Sequence, residues 1–195
     1  MSLTMLRVTG LGLLLAGFLI LPFVLGDYWI YTVTIGFYYA ILAASWALLV
    51  GYVGRISFAQ AAMAGLGGYV SALSVQYIGL PPVFGLVLGM MIAAAIGFVI
   101  GWLTLQLHGA YLGLTTIAFA EILRITATAE YNLTEGSRGL QVVPLLENGT
   151  RIEYYFLFLM ITLACLALMT WLLQSRVGLF FQSIREDEDG AASLG

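Results

Sequence analysis

The 195-residue chain is poor in charge: 9% of its residues are charged, and not one of them is lysine. Soluble domains carry roughly 25% charged residues. With 62% hydrophobic residues and a mean hydropathy of +1.01, the polar surface is too small to cover a water-soluble globule, so the chain reads as an integral membrane protein. Seven arginines against ten acids leave a net charge of -3. That argues against a nucleic-acid partner, since phosphate binding needs a cationic face. The single cysteine, Cys165, excludes an internal disulfide and says nothing about compartment. No Walker A pattern occurs, so the chain has no P-loop with which to bind ATP and does not read as an enzyme. His108 stands without clustered ligands, and neither a metal nor another cofactor is expected.

What charge there is lies in few places. Eleven of the seventeen charged residues fall in 130–153 and 185–189. The rest is apolar, in six stretches of about 20 residues, enough to cross roughly 30 Å of hydrocarbon as helices. They cover approximately 8–25, 29–50, 57–78, 83–107, 110–129 and 154–173. The first is longer than the apolar core of a cleaved signal peptide and reads as a retained helix. Continuous apolar runs, without alternation, speak against a β-barrel. The fold class is therefore all-α, a polytopic bundle of about six spanning helices, with 1–195 as a single transmembrane domain.

Cytoplasmic loops are enriched in basic residues. Six crossings with the N-terminus in the cytoplasm place Arg7, Arg55, Arg176 and Arg185 inside, and Arg138 and Arg151 outside. The outer loop holds two sequons, at Asn132 and Asn148, which read as chance matches.

Helices in lipid associate where small residues let backbones approach. Small residues four apart occur at Gly85 and Gly89, Gly97 and Gly101, Gly109 and Gly113, and Ala61 and Gly65. The third segment adds a further feature. It begins with Ser57 and Gln60 and carries Gly65, Gly67 and Gly68 at its centre. Each glycine weakens a helix by up to about 1 kcal/mol relative to alanine. A break at these glycines is expected, of the kind transporters use to aim a half-helix N-terminus at an anionic substrate group.

In the fifth segment Glu121 lies about 16 Å along a helix that starts near Ala110, close to mid-bilayer. Arg124 is three residues on, within pairing reach on the same face. Charges at this depth are costly and normally face the protein interior. Two readings stay open: a pair that locks the helix into the bundle, or a pair beside a polar translocation path. Thr115 and Thr116 belong to the same path reading, although such hydroxyls often bond their own helix.

The segment 174–195 is mixed apolar and charged. Its runs Ser175-Arg176-Val177-Gly178 and Ser183-Ile184-Arg185-Glu186-Asp187-Glu188, followed by Ala191 and Gly195, resemble the cytoplasmic coupling loop of ABC importer permeases for branched-chain amino acids. The LivM-like members of that family are the nearest match. Gly54, Ser57, Gln60, Gly65, Gly68 and Tyr69 resemble the same family, as do Gly109-Ala110-Tyr111, the run Thr115 to Arg124 and the outer loop Leu133 to Leu140.

The resemblance implies a permease subunit paired with a paralogous permease, two cytoplasmic ATPases, an extracytoplasmic binding protein and a bacterial or archaeal plasma membrane. It places Arg185, Glu186, Asp187, Glu188 and Gly195 in the ATPase-coupling segment. It also implies further helices after Gly195, so the sequence reads as a C-terminally truncated permease. Asp189 and Gly190 depart from the apolar residue and alanine usual there. Permeases similar to these also handle urea or short amides. An ion-coupled transporter using Glu121 as a proton site, and a non-transporting membrane scaffold, are the rival classes.

Overall fold

The computed structural model describes residues 3–104, 106–107, 109–147 and 149–186. The expectations for His108, for the sequon at Asn148 and for Asp187, Glu188, Asp189, Gly190 and Gly195 lie outside the described residues. Among those described there is no strand. The helices are α1 (Leu3–Val24), α2 (Asp27–Leu48), α3 (Gln60–Ile78), α4 (Pro82–Leu103), α5 (Ala110–Ala129), the single turn α6 (Tyr131–Thr134), α7 (Arg151–Gln174) and α8 (Arg176–Glu186).

Among the described residues, four helical stretches are long and apolar enough to cross a membrane: Asp27–Val53, Pro82–Leu103, Ala110–Ala129 and Arg151–Gln174. They are the second, fourth, fifth and sixth of the expected crossings. The first corresponds to α1, a 22-residue helix in which, among the described residues, Gly12–Val24 is an apolar stretch. The third is α3, 19 residues long, where glycine, serine, glutamine and tyrosine dilute the apolar content.

The break expected at Gly65, Gly67 and Gly68 is not there. The α3 helix runs uninterrupted from Gln60 to Ile78. Tertiary packing decides helicity more than propensity does, and a Cβ built on Gly67 would lie 3.4 Å from the Gly89 carbonyl of α4. The irregular backbone lies earlier. A π-helical turn, Leu49–Val53, closes the run that began with α2, and Gly54 leaves it at φ +75° with its N–H on the Leu49 carbonyl. Residues 54–59 are then non-helical. A left-handed C-terminal residue of this kind is sterically cheap only for glycine.

The chain divides into two compact units, Met1–Ile41 with Gly149–Cys165, and Leu42–Asn148 with Leu166–Gly195. The core of the first is Ile30 and Phe37 of α2 with Tyr155 and Leu159 of α7, flanked by Phe18, Leu25, Val33 and Phe156. Phe37 meets Phe18 and Tyr155 edge to face at centroid separations of 5.5 and 5.3 Å, a favoured aromatic geometry. At the start of α7, Thr150 and Glu153 cap each other: the Thr150 N–H donates to Glu153 Oε2 at 2.9 Å, and the Glu153 N–H to Thr150 Oγ1 at 3.3 Å. This is the reciprocal box of a Thr-x-x-Glu start.

Tyr155 is fully buried, and its hydroxyl donates to the Phe18 carbonyl at 2.8 Å. The physical reason is Pro22. It sits four residues after Phe18 inside α1 and has no N–H to donate back. In an apolar surround that carbonyl needs another donor. Tyr155→Phe is expected to destabilise this unit by about 1–2 kcal/mol. In a Pro22→Ala background, where an N–H returns, the cost should shrink. Unfolding titrations in mixed micelles check this, and an equal cost in both backgrounds would refute the link.

The second unit is built on the crossing of α3 and α4. Gly85 and Gly89 are buried in it. A Cβ at Gly85 would come within 2.8 Å of Val75 Cγ2 and 3.0 Å of the Ser71 carbonyl, and one at Gly89 would overlap the Gly67 carbonyl. The small pairs do not all serve this purpose. Gly65 and Gly101 have nothing near a built Cβ, and Gly109 is a turn residue at φ +57°. A Cβ at Gly113 would rest on the Phe58 ring at 3.5 Å.

Candidate functional site

Residues 54–59 link two helices without being one, and their backbone groups must find partners. The Ser57 carbonyl accepts from Trp46 Nε1 at 2.9 Å. The Phe58 N–H donates to Thr116 Oγ1 of α5 at 3.1 Å. Thr116 is buried and its hydroxyl lies on the Leu112 and Gly113 carbonyls of its own helix. Thr116 lies about 9 Å from the start of α5, so the non-helical segment reaches well into the depth of an apolar helix. Non-helical backbone at that depth is tolerated where protein covers it or a cavity opens on it. Both hold here, because Phe58 also lines a groove.

The groove, of about 690 Å³, runs between α3 and α5. Ala61, Ala62, Gly65, Leu66 and Tyr69 form the α3 wall, and Ile117, Ala120, Glu121, Arg124 and Ala127 the α5 wall. That volume is within the usual range of small-molecule sites. Its walls are mostly apolar, and its charge comes from Glu121 and Arg124 within α5 and Glu130 just beyond it. Arg124 Nε donates to Glu121 Oε2 at 2.9 Å, and Nη2 donates to Oε1. The pair is half-exposed, with side-chain accessibilities of 64% and 50% for its two members. It faces outward from the unit's own packing rather than into it.

One end of the groove is lined by the loop after α5, through Leu133 and Thr134. Thr134 is buried there, its Oγ1 against the Ala127 and Glu130 carbonyls, and Tyr77 at the end of α3 donates to the Asn132 carbonyl at 3.3 Å. At the other end lie three neighbouring features. Arg55 Nη1 donates to the Leu107 carbonyl at 2.9 Å. Arg185 of α8 donates to the Gly51 carbonyl. A cavity of about 650 Å³ opens beside this contact and is lined by Gly51, Tyr52, Gln182 and Arg185.

Residues 28–195 match the family described as branched-chain amino acid transport system / permease component. The chain belongs to this family. Among curated relatives it is similar to the high-affinity branched-chain amino acid transport system permease protein LivM of Escherichia coli strain K12, at 26% identity over 202 residues, covering 89% of this chain and 48% of the relative. It is similar also to the LivM protein of Salmonella typhimurium strain LT2, at 27% over 185 residues, covering 80% and 44%. The chain spans about half the length of the curated relatives it matches. No solved structure matches it.

In this family member the groove brings together Gly65, Glu121 and Arg124 of the residues expected on the path. The others are elsewhere. Gly67 is at the α3–α4 crossing, and Gly68 has nothing near a built Cβ. Thr115 bonds the Tyr111 carbonyl of its own helix at 2.8 Å. Ser57 Oγ accepts from the Ala59 N–H at 3.4 Å. Gln60 begins α3, and its Oε1 is buried without a hydrogen-bond partner among the described residues.

Three features of this family member are not legible as such in its sequence. Gly54 gave only a family resemblance, although a glycine just after an apolar helical run signals a left-handed cap. Trp46, which holds the non-helical segment, carries no local signal of its role, and Thr134, which shapes the loop, stands out in the sequence only through a sequon and the resemblance over Leu133 to Leu140.

Proposed function

We propose that this chain is the transmembrane permease subunit of an ABC importer that moves branched-chain or other hydrophobic amino acids across a bacterial or archaeal plasma membrane, its N-terminus in the cytoplasm. The family membership over 28–195 supports this reading most directly. The subunit pairs with a paralogous permease. An extracytoplasmic binding protein delivers the amino acid, and two cytoplasmic ATPases supply the work through the segment that begins with α8. The chain itself acts as a gate: rigid-body motion of helices opens a midplane path alternately to either side.

The groove between α3 and α5 fits a stretch of that path. Small apolar walls accommodate a branched aliphatic side chain, while the Glu121 and Arg124 pair offers one charge of each sign to a zwitterion. Of the five N–H groups of an arginine, Glu121 engages two through Nε and Nη2.

The test is charge reversal at Glu186 and Asp187 in the full-length permease. Both ATPases are expected to be lost from the purified assembly while the permease still inserts in the membrane. Unchanged co-purification would refute the docking role. Uptake by proteoliposomes carrying the whole importer should follow ATP and persist with an uncoupler. Collapse with the uncoupler at constant ATP would favour the ion-coupled alternative, and competition by urea or short amides rather than leucine the amide-permease one.

A further inference from the structure

Arg185 lies in the coupling segment, and its contacts are with its own chain. Its guanidinium Nη1 donates to the Gly51 carbonyl at 2.5 Å. That carbonyl belongs to the π-helical turn, in the last positions before the chain turns away at Gly54, where helix carbonyls lack partners along the helix. A cation at such an end also meets the negative pole of the helix dipole. The stem of Arg185 lies over Gly54: a Cβ there would come within 2.9 Å of Arg185 Cγ and 3.4 Å of its Cβ. The guanidinium and the stem thus hold α8 onto the elbow between α2 and α3 from two sides.

The non-helical segment beyond the elbow carries this contact onward. Four residues after Gly54, the Phe58 N–H is fixed to Thr116 of α5 at 3.1 Å, and Phe58 lines the groove. One residue later Ala59 accepts the first α3 hydrogen bond, from Met63 at 2.9 Å. A short non-helical segment therefore joins the seat of α8 to the base of α3. With both of its ends tied, displacement of the elbow has few ways to dissipate.

We infer that Arg185 is a positioning residue that transmits movement of α8 through the Gly51–Gly54 elbow to α3 and the groove, and is not a docking contact for an ATPase. The inference rests on the permease reading above. Within that reading it separates two tasks of the coupling segment: residues after Arg185 meet the ATPase, and Arg185 meets the permease's own helices.

The experiment uses the full importer in proteoliposomes, with Arg185→Ala, Arg185→Lys, Gly54→Ala and the double variant Gly54→Ala/Arg185→Ala. Three quantities are read: ATPase subunits retained on purification, ATP hydrolysed with loaded binding protein, and amino acid taken up per ATP. Arg185→Ala is expected to keep its ATPases while uptake per ATP falls about tenfold, within the usual range of a coupling between sites. Arg185→Lys, which keeps a donor for the Gly51 carbonyl, should recover part of the loss. Gly54→Ala, which pushes the stem off its seat, should lower uptake per ATP similarly. The double variant should be no worse than the worse single one, because both remove one contact.

Loss of ATPases from Arg185→Ala would overturn the inference, as would uptake per ATP at the wild-type value or additive losses in the double variant. Arg185 is exposed, so its variants remain informative even if Gly54→Ala fails to insert. A wild-type assembly that neither retains ATPases nor transports would instead overturn the permease reading, and this inference with it.

Discussion

Gly89→Val is expected to unseat α4 from α3 and to destabilise the fold by about 2–3 kcal/mol, the upper part of the range for overpacking a tight interior. The cause is backbone against backbone. A Cβ at position 89 overlaps the Gly67 carbonyl and lies 3.2 Å from Ser71 Cβ. A carbonyl within α3 cannot swing aside as a side-chain tip can. Association in lipid depends on this approach, because lipid tails offer no hydrophobic drive between helices. Gly101→Val is the control. It lies in the same helix at the same small-residue spacing, with nothing within 4 Å of its built Cβ, and is expected to stay within about 0.5 kcal/mol of the parent. Unfolding in mixed micelles separates the two. Equal tolerance of valine at both positions would remove the crossing from its place at the centre of this unit.

The contrast between Gly89 and Gly101 also marks how far the sequence could be read. Composition and run length made an all-α membrane protein legible, because the bilayer permits so few spanning structures. Spacing found the Gly85–Gly89 face, but it offered Gly97–Gly101 on equal terms, since nothing in a local sequence says which face meets a neighbour. The misplaced break has the same origin. Gly65, Gly67 and Gly68 signal intrinsic helix weakness, yet the packing of Gly67 against α4 restores that helix. The actual interruption, at 54–59, contains one glycine and depends on distant partners: Trp46 for Ser57, Thr116 for Phe58 and Arg185 for the turn. In the site, Glu121 and Arg124 were legible because charge in an apolar helix is rare and i,i+3 spacing fixes the pairing. Their outward, half-exposed setting on the groove was not, because it depends on how α3 lies beside α5.

That setting decides what the pair should do when altered. Arg124→Ala leaves the Glu121 carboxylate on a membrane helix without the cation that now holds both of its oxygens. A lone charge in this position is costly in lipid, so insertion yield and uptake are both expected to fall. Glu121→Gln leaves the arginine alone and should act in the same direction. The informative variant is Glu121→Gln/Arg124→Gln, which removes both charges and keeps polar side chains of similar reach. If the pair only fastens α5, neutralisation restores insertion and uptake together. If it meets the zwitterion in the groove, insertion recovers while uptake stays low, by roughly tenfold or more, the scale set by removing charged contacts from a binding site. The second outcome is the expected one. It rests on the pair's place on the groove wall, beside the small apolar residues of α3, with donors on Arg124 beyond those that Glu121 uses. Measuring membrane-inserted protein and uptake in the same proteoliposomes distinguishes the two, and full recovery of uptake by the double variant would leave the groove without a charged substrate contact.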